Sequence, residues 1–181
     1  MIYVYLAEGF EEVEALFPLD LFRRAGLDAK TVSITESPLV TGSHGITVRA
    51  DITVNDSDYA PKNTELIMLP GGMPGTTNLD ASALVHEALD YAYQNGVFIA
   101  AICAAPSVLG KKGFLSGKKA TCYPGFEKYL SGSIQTKDKF VRDGNIITAA
   151  GAGVALDFGL TIIETLCGKE KAEGIKNAIL A

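Results

Sequence analysis

Two rhythms of apolar residues alternate along this chain. Short β-rich runs occur at Ile2–Leu6, Ala29–Ile34, Glu65–Leu69 and Val97–Ile102. The last is the most apolar, as expected of a strand covered on both faces at the centre of a sheet. Between them the spacing turns helical. Glu12–Ala25 carries Val13, Leu16, Phe17 and Leu21 and stops at Gly26, with Pro18 inside it predicting a kink or a late start. Ser82–Asn95 places Leu84, Ala88, Leu89 and Ala92 on one face, with Gly96 closing it. Pro38–Val54 reads as short β pieces joined by turns at Gly42 and Gly45. A short helix runs from Cys103 to Lys112, then a strand near Ala120 and a turn at Pro124-Gly125. Lys139–Arg142 and Ile146–Ala150, joined through Asp143-Gly144-Asn145, predict a hairpin. Val154–Cys167 predicts a helix with Leu156, Leu160, Ile163 and Cys167 on one face, followed by a charged C-terminal helix. Alternating strands and helices predict an α/β fold, with an open, mostly parallel sheet and helices on both faces. Such sheets place their sites at the C-terminal ends of strands, where Pro70-Gly71-Gly72 and Cys103 would share one crevice.

Composition narrows the classes. A chain of 181 residues, 48% hydrophobic and 20% charged, predicts one globular domain over 1–181. The net charge of −5, with scattered basic residues, argues against a nucleic-acid partner. No apolar stretch is long enough to span a bilayer, since Val97–Val108 is cut by Pro106. The strand-like start, without a basic leader, predicts the cytoplasm. Two histidines and three cysteines without a CxxC pair leave too few ligands for a structural zinc site. Neither a phosphate loop nor a dinucleotide fingerprint is present, so no metal and no cofactor are expected.

The candidate chemistry centres on VFIAAICAAPSVLG, residues 97–110. Ala101, Ala104 and Ala105 supply the small neighbours that a tight strand-to-helix turn needs, and Cys103 takes the nucleophile position of such an elbow. The helix that follows would aim amides at the sulfur and lower its pKa. A buried, inert core cysteine is the competing reading, and it is the default for Cys122 and Cys167. Gly72 permits a positive φ, and its amide with that of Ala104 could form an oxyanion hole. Glu11, Glu12 and Glu14 crowd a helix start, where the dipole favours acids, and this suffices for Glu12. Glu14 lies one turn in, near the core face, where a buried carboxyl would keep its proton. His86 on its helix reads as a solvated surface residue.

Together AAICAAP, LPGG and GFEEVEALFPLDLFRRAG resemble the ThiJ/PfpI superfamily, in the branch of the parkinsonism-associated deglycase and its bacterial relatives. The resemblance covers essentially the whole chain. It implies a flavodoxin-like (class I glutamine amidotransferase-like) sandwich, assembled as a homodimer. Residue by residue it implies Cys103 as nucleophile, Glu14 as the protonated glutamate supporting its thiolate, and Gly72 and Ala104 as oxyanion amides. It further implies Glu11 as an acid near the substrate pocket. Asp20 and Arg24 would reach the partner's site, on an interface including Pro18, Leu19 and Phe22. Two positions depart from the family pattern. Tyr123 stands where many relatives have histidine, and a phenol is a poor general base at neutral pH. His44 in GSHGI stands where relatives often have arginine.

The function implied is a cofactor-independent glyoxalase III or deglycase acting on reactive carbonyls such as methylglyoxal, or on their early glycated adducts. A redox-sensing, chaperone-like protein with an oxidisable Cys103 is the rival reading. An intracellular peptidase or amidase is a third, weakened by the missing histidine. No residue supports a role in thiamine biosynthesis.

Overall fold

A computed structural model describes the whole chain, Met1–Ala181. Strand β1 (Ile2–Leu6) leads into helix α1 (Glu12–Arg24) and strand β2 (Ala29–Ser33). Then come β3 (Leu39–Thr41), β4 (Thr47–Arg49), β5 (Ile52–Thr53), β6 (Leu66–Leu69), helices α2 (Gly75–Ala81) and α3 (Ala83–Gln94), and β7 (Phe98–Ile102). Helix α4 (Pro106–Lys111), β8 (Lys119–Ala120), β9 (Ile134–Gln135), the hairpin β10 (Phe140–Asp143) and β11 (Ile146–Ala149), and helices α5 (Ala155–Cys167) and α6 (Lys169–Ala178) complete it. The main sheet runs β10-β11-β7-β6-β1-β2-β5, and every neighbouring pair is parallel except β10 with β11. This is the mostly parallel sandwich that the alternating pattern predicts.

Strand periodicity divides the core in two. In β1, Ile2, Val4 and Leu6 face one cluster, with Phe22 of α1 and Phe158 of α5. Tyr3 and Tyr5 face the other, with Leu89 of α3 and Val108 of α4. Both faces are covered, which is why IYVYL is buried throughout. No helix is long and apolar enough to cross a membrane.

Several expectations change. Helix α1 runs unbroken through Pro18, and Pro18, Leu19 and Phe22 are buried, Leu19 and Phe22 in the core shared with α5, so none of them is free for a partner. The outward apolar residues of α1 are Val13 and Phe17 instead. On α3 the buried face includes Val85, while Leu84 is exposed. On α5, Leu160 and Ile163 of the expected stripe are buried, with Phe158 and Ile162 beside them, while Cys167 at the end of the helix is exposed. His86 is half-buried, its Nε2 bonded to the Asp80 carbonyl at 2.7 Å. Helix α2 was not expected from GTTNLDA, whose residues are mostly weak helix formers.

Candidate active site

Register brings the two suspected turns together. Leu69 at the end of β6 pairs with Ala101 near the end of β7, so Gly71-Gly72 and Cys103 emerge side by side. Cys103 has φ of 64°, a left-handed conformation that costs a non-glycine residue about 1–3 kcal/mol. Neighbouring strands hold it there. Its amide donates to the Ala149 carbonyl at 2.9 Å, and its carbonyl accepts from the Tyr123 amide at 2.8 Å. Ala104 and Ala105 are buried beneath the turn, which explains why both are small.

Glu14 arrives from α1. Its carboxyl is 1% exposed, accepts the Gly71 amide at 2.9 Å and is hydrogen-bonded to the Cys103 thiol. Gly71 must be glycine: a Cβ there would lie 2.5 Å from Glu14 Oε2 and 2.6 Å from the Cys103 Cβ. Burial raises the Glu14 pKa to about 7. The cysteine hydrogen bond and the amides of Gly71 and Ala152 oppose that rise, while the negative charge of Glu11 adds to it.

The thiol does not follow the expectation of a lowered pKa. Burial, then the Glu14 carboxylate, push it up to about 12. Helix α4 is short and begins only at Pro106, too late to dominate at the sulfur. The amides of Gly72 and Ala104 act on the sulfur and pull the other way. Cys103 and Glu14 therefore titrate as a pair. With one proton removed, the pair is either thiol with carboxylate or thiolate with carboxylic acid. The second form arises by moving one proton along the hydrogen bond between them, with the amides of Gly72 and Ala104 bonded to the sulfur.

The acidic cluster divides its labour. Glu11 caps α1, accepting the Glu14 amide at 2.6 Å, and so fixes the turn that carries the acid. Glu12 does more than balance the helix dipole. It is 5% exposed and accepts the His44 amide at 2.8 Å, His44 Nδ1 at 2.8 Å and the Ile46 amide at 3.3 Å. Burial disfavours its charge, but the bonds from His44 and Ile46 outweigh burial and hold its pKa low. The same bond and charge raise the pKa of His44. His44 thus stands at the rim, its Nδ1 3.9 Å from Glu11. Ligand atoms of Glu11, Glu12 and His44 lie within 4.8 Å of one another, the one grouping of metal-donor types, yet both Glu12 oxygens are already spent on the 43–46 loop.

The remaining candidates fall into place differently. Tyr123 is half-exposed beside the elbow, its ring against Gly151. Asp20 and Arg24 pair with each other at 2.6 Å on the exposed side of α1, some turns away from Glu14, and do not reach the site within one chain. Cys122 is buried, its thiol pushed up to about 11 by burial and by Glu127. Sequence reasoning missed the roles of Gly71, Glu12 and Ala152. Only the double glycine gave any signal for the first.

These features define a class: a cysteine at a strained strand-to-helix elbow, beside a buried carboxyl at the strand ends of a flavodoxin-like sheet. The DJ-1/PfpI family matches residues 1–165, and the chain belongs to that family. It is 36% identical over 179 residues to protein dj-1beta of Drosophila melanogaster, covering 98% of this chain and 95% of the fly protein. It is 31% identical over 169 residues to the glutathione-independent glyoxalase DJR-1.2 of Caenorhabditis elegans, covering 93% of this chain and 89% of that protein. Oxidized Toxoplasma gondii DJ-1 superposes with a TM-score of 0.91 at 34% identity, covering 99% and 97% of the two chains.

Proposed function

We propose that this protein is a cofactor-independent, cysteine-dependent enzyme that converts reactive dicarbonyls, or their early adducts, to hydroxy acids. The observation that carries the reading is the hydrogen-bonded Cys103–Glu14 pair, with the Gly72 and Ala104 amides bonded to the same sulfur. The named activity of the nematode relative agrees with it. The proton of Cys103 passes to Glu14, and the thiolate attacks the aldehyde carbon of methylglyoxal. A C–S bond forms, and the oxygen of the former carbonyl becomes an oxyanion held by the two amides until it takes the proton from Glu14, which returns Glu14 to carboxylate. Glu14, as carboxylate, then removes the proton from that carbon and returns one to the adjacent carbon, while the hydroxyl proton passes from the first oxygen to the second, leaving a thioester of a hydroxy acid. Water cleaves the C–S bond and restores the thiol, so the sum is dicarbonyl plus water to hydroxy acid.

A second reading is favoured by one observation: a partly accessible sulfur flanked by two amides and a carboxyl can hold sulfinate oxygens, and a relative is known in oxidized form. Two equivalents of peroxide would give the sulfinate and two of water. Turnover of methylglyoxal without glutathione, measured beside the rate of Cys103 over-oxidation by peroxide, separates the two. Sustained turnover supports the enzyme. Over-oxidation without turnover supports the sensor. A peptidase reading lacks its Cys–His pair, since His44 is bound to Glu12 and His86 to Asp80.

Tyr123 would orient substrate or water by its hydroxyl. Tyr123→Phe is expected to lower kcat/KM by about tenfold at most, in the range of one lost hydrogen bond. A larger loss, with peptide hydrolysis lost alongside, would make the tyrosine a base. The assembly proposed is a homodimer through the outward side of α1, where Val13 and Phe17 are 46% and 36% exposed next to Asp20 and Arg24. Light scattering is expected to give about twice the chain mass of 19.1 kDa, whereas a 19.1 kDa particle would contradict it.

A further inference from the structure

A cavity lined in part by Cys122 and Pro124, the two chain neighbours of Tyr123, has a volume of about 340 Å³. That is the lower range of small-molecule sites, about 300–1,000 Å³, and a three-carbon dicarbonyl would leave most of it empty. Its floor is apolar and buried, made by Ala120, Cys122 and Leu130. Its rim is charged. Glu127 stands on one side, and Lys137, Asp138 and Lys139 on the segment between β9 and β10. None of these four takes part in any of the chain's nine ion pairs.

The rim is tied to the floor. Gln135 Nε2 donates to the Glu127 carbonyl at 2.8 Å, and the Thr136 amide to the Ala120 carbonyl at 3.0 Å. The Gly125 amide donates to Glu127 Oε2 at 2.6 Å, turning that carboxylate. Both backbone groups of Cys103 are tied to chain neighbours of residues that line this cavity. The Cys103 carbonyl accepts from Tyr123, the residue after Cys122, and its amide donates to Ala149, the residue before the lining Ala150.

Two unpaired cations and two unpaired anions around an apolar floor match a zwitterion on an apolar stem. Resting on the carbonyl reading of Cys103, we propose that this cavity is the carrier subsite. It would hold the α-amino acid portion of an adduct whose side-chain thiol or amine carries the dicarbonyl. Lys137 and Lys139 receive the α-carboxylate, and Glu127 and Asp138 receive the α-ammonium. The stem lies over Cys122 and Leu130, and the carbonyl end passes Tyr123 to Cys103. Cys122 takes no covalent part, since burial keeps it a neutral thiol.

The test needs no turnover, so it can fail separately from the carbonyl reading. The ¹⁵N-labelled full chain is titrated with L-methionine, whose unreactive thioether stands for an S-linked adduct. Saturable shifts at the Thr121, Thr136 and Lys139 amides are expected. N-acetyl-methionine, the corresponding decarboxylated amine and the Lys137→Glu/Lys139→Glu variant should each weaken binding about tenfold, the scale of losing rim ion pairs. No shifts at the cavity, or equal binding of all three ligands, would overturn the proposal. In the same variant, kcat/KM should fall about tenfold on the cysteine–methylglyoxal hemithioacetal and stay unchanged on free methylglyoxal. Equal effects on both substrates would also overturn it.

Discussion

Replacing Glu14 with glutamine is expected to lower carbonyl turnover by about 10²-fold or more and, at the same time, to stabilise the fold above neutral pH. The amide still accepts from Gly71 and still offers an N–H to the sulfur, but it cannot accept the proton of Cys103 or move one between substrate carbons. The stability gain follows from the raised pKa. Glu14 titrates near 7 in the fold against an ordinary 4.5. Below pH 4.5 it is neutral folded and unfolded, and its full contribution is present. As pH rises towards 7 the unfolded chain releases the proton first, and the fold loses up to about 3 kcal/mol at 1.36 kcal/mol per pKa unit. Glutamine carries no such loss. The variant should melt higher than the wild type at pH 8 and alike at pH 4. Unchanged activity in Glu14→Gln would remove the carboxyl from the mechanism.

Cys103→Ser is expected to abolish turnover, a loss on the order of 10³-fold or more, because a serine hydroxyl at this elbow has no strong base to ionise it. In the wild type, iodoacetamide labelling of Cys103 should rise with pH through about 7, where the Cys103–Glu14 pair loses its first proton, and then level off. Glu14→Leu deletes the proton acceptor and should move that rise upwards. Mass spectrometry resolves the three cysteines: Cys122 should label slowly, being buried with its thiol at about 11. A rise at about 12 in the wild type would mean that the proton never passes to Glu14.

The elbow was legible because local pattern determines it. An apolar strand, alanines on both sides of one cysteine and a proline at the next helix start leave little room for another geometry. The layered sheet was legible for the same reason, since strand and helix periods differ. Contacts between distant segments were not. Helical spacing put Glu14 near the core face, but nothing in FEEVEAL says that it meets Cys103, which depends on the start of α1 lying against the Gly71 turn, or that the Glu12 carboxylate is spent on a loop about thirty residues on. The thiol pKa was misjudged because burial and a carboxylate outweigh two amides, a balance that depends on depth rather than on spacing. Helix α2 escaped because its residues do not favour helix and tertiary contacts decide it, and the exposure of Cys167 reflects its place as the last residue of α5.

The central claim is that Cys103 and Glu14 together move a proton between the carbons of a bound dicarbonyl. The most direct test is to incubate the protein with methylglyoxal in D₂O, without glutathione, and to follow the product by NMR. Because the Glu14 carboxyl exchanges with solvent, the account predicts lactate bearing deuterium at C2, formed by the wild type and not by Cys103→Ser. Lactate that keeps protium at C2, or no lactate from a protein whose Cys103 still alkylates, would contradict it.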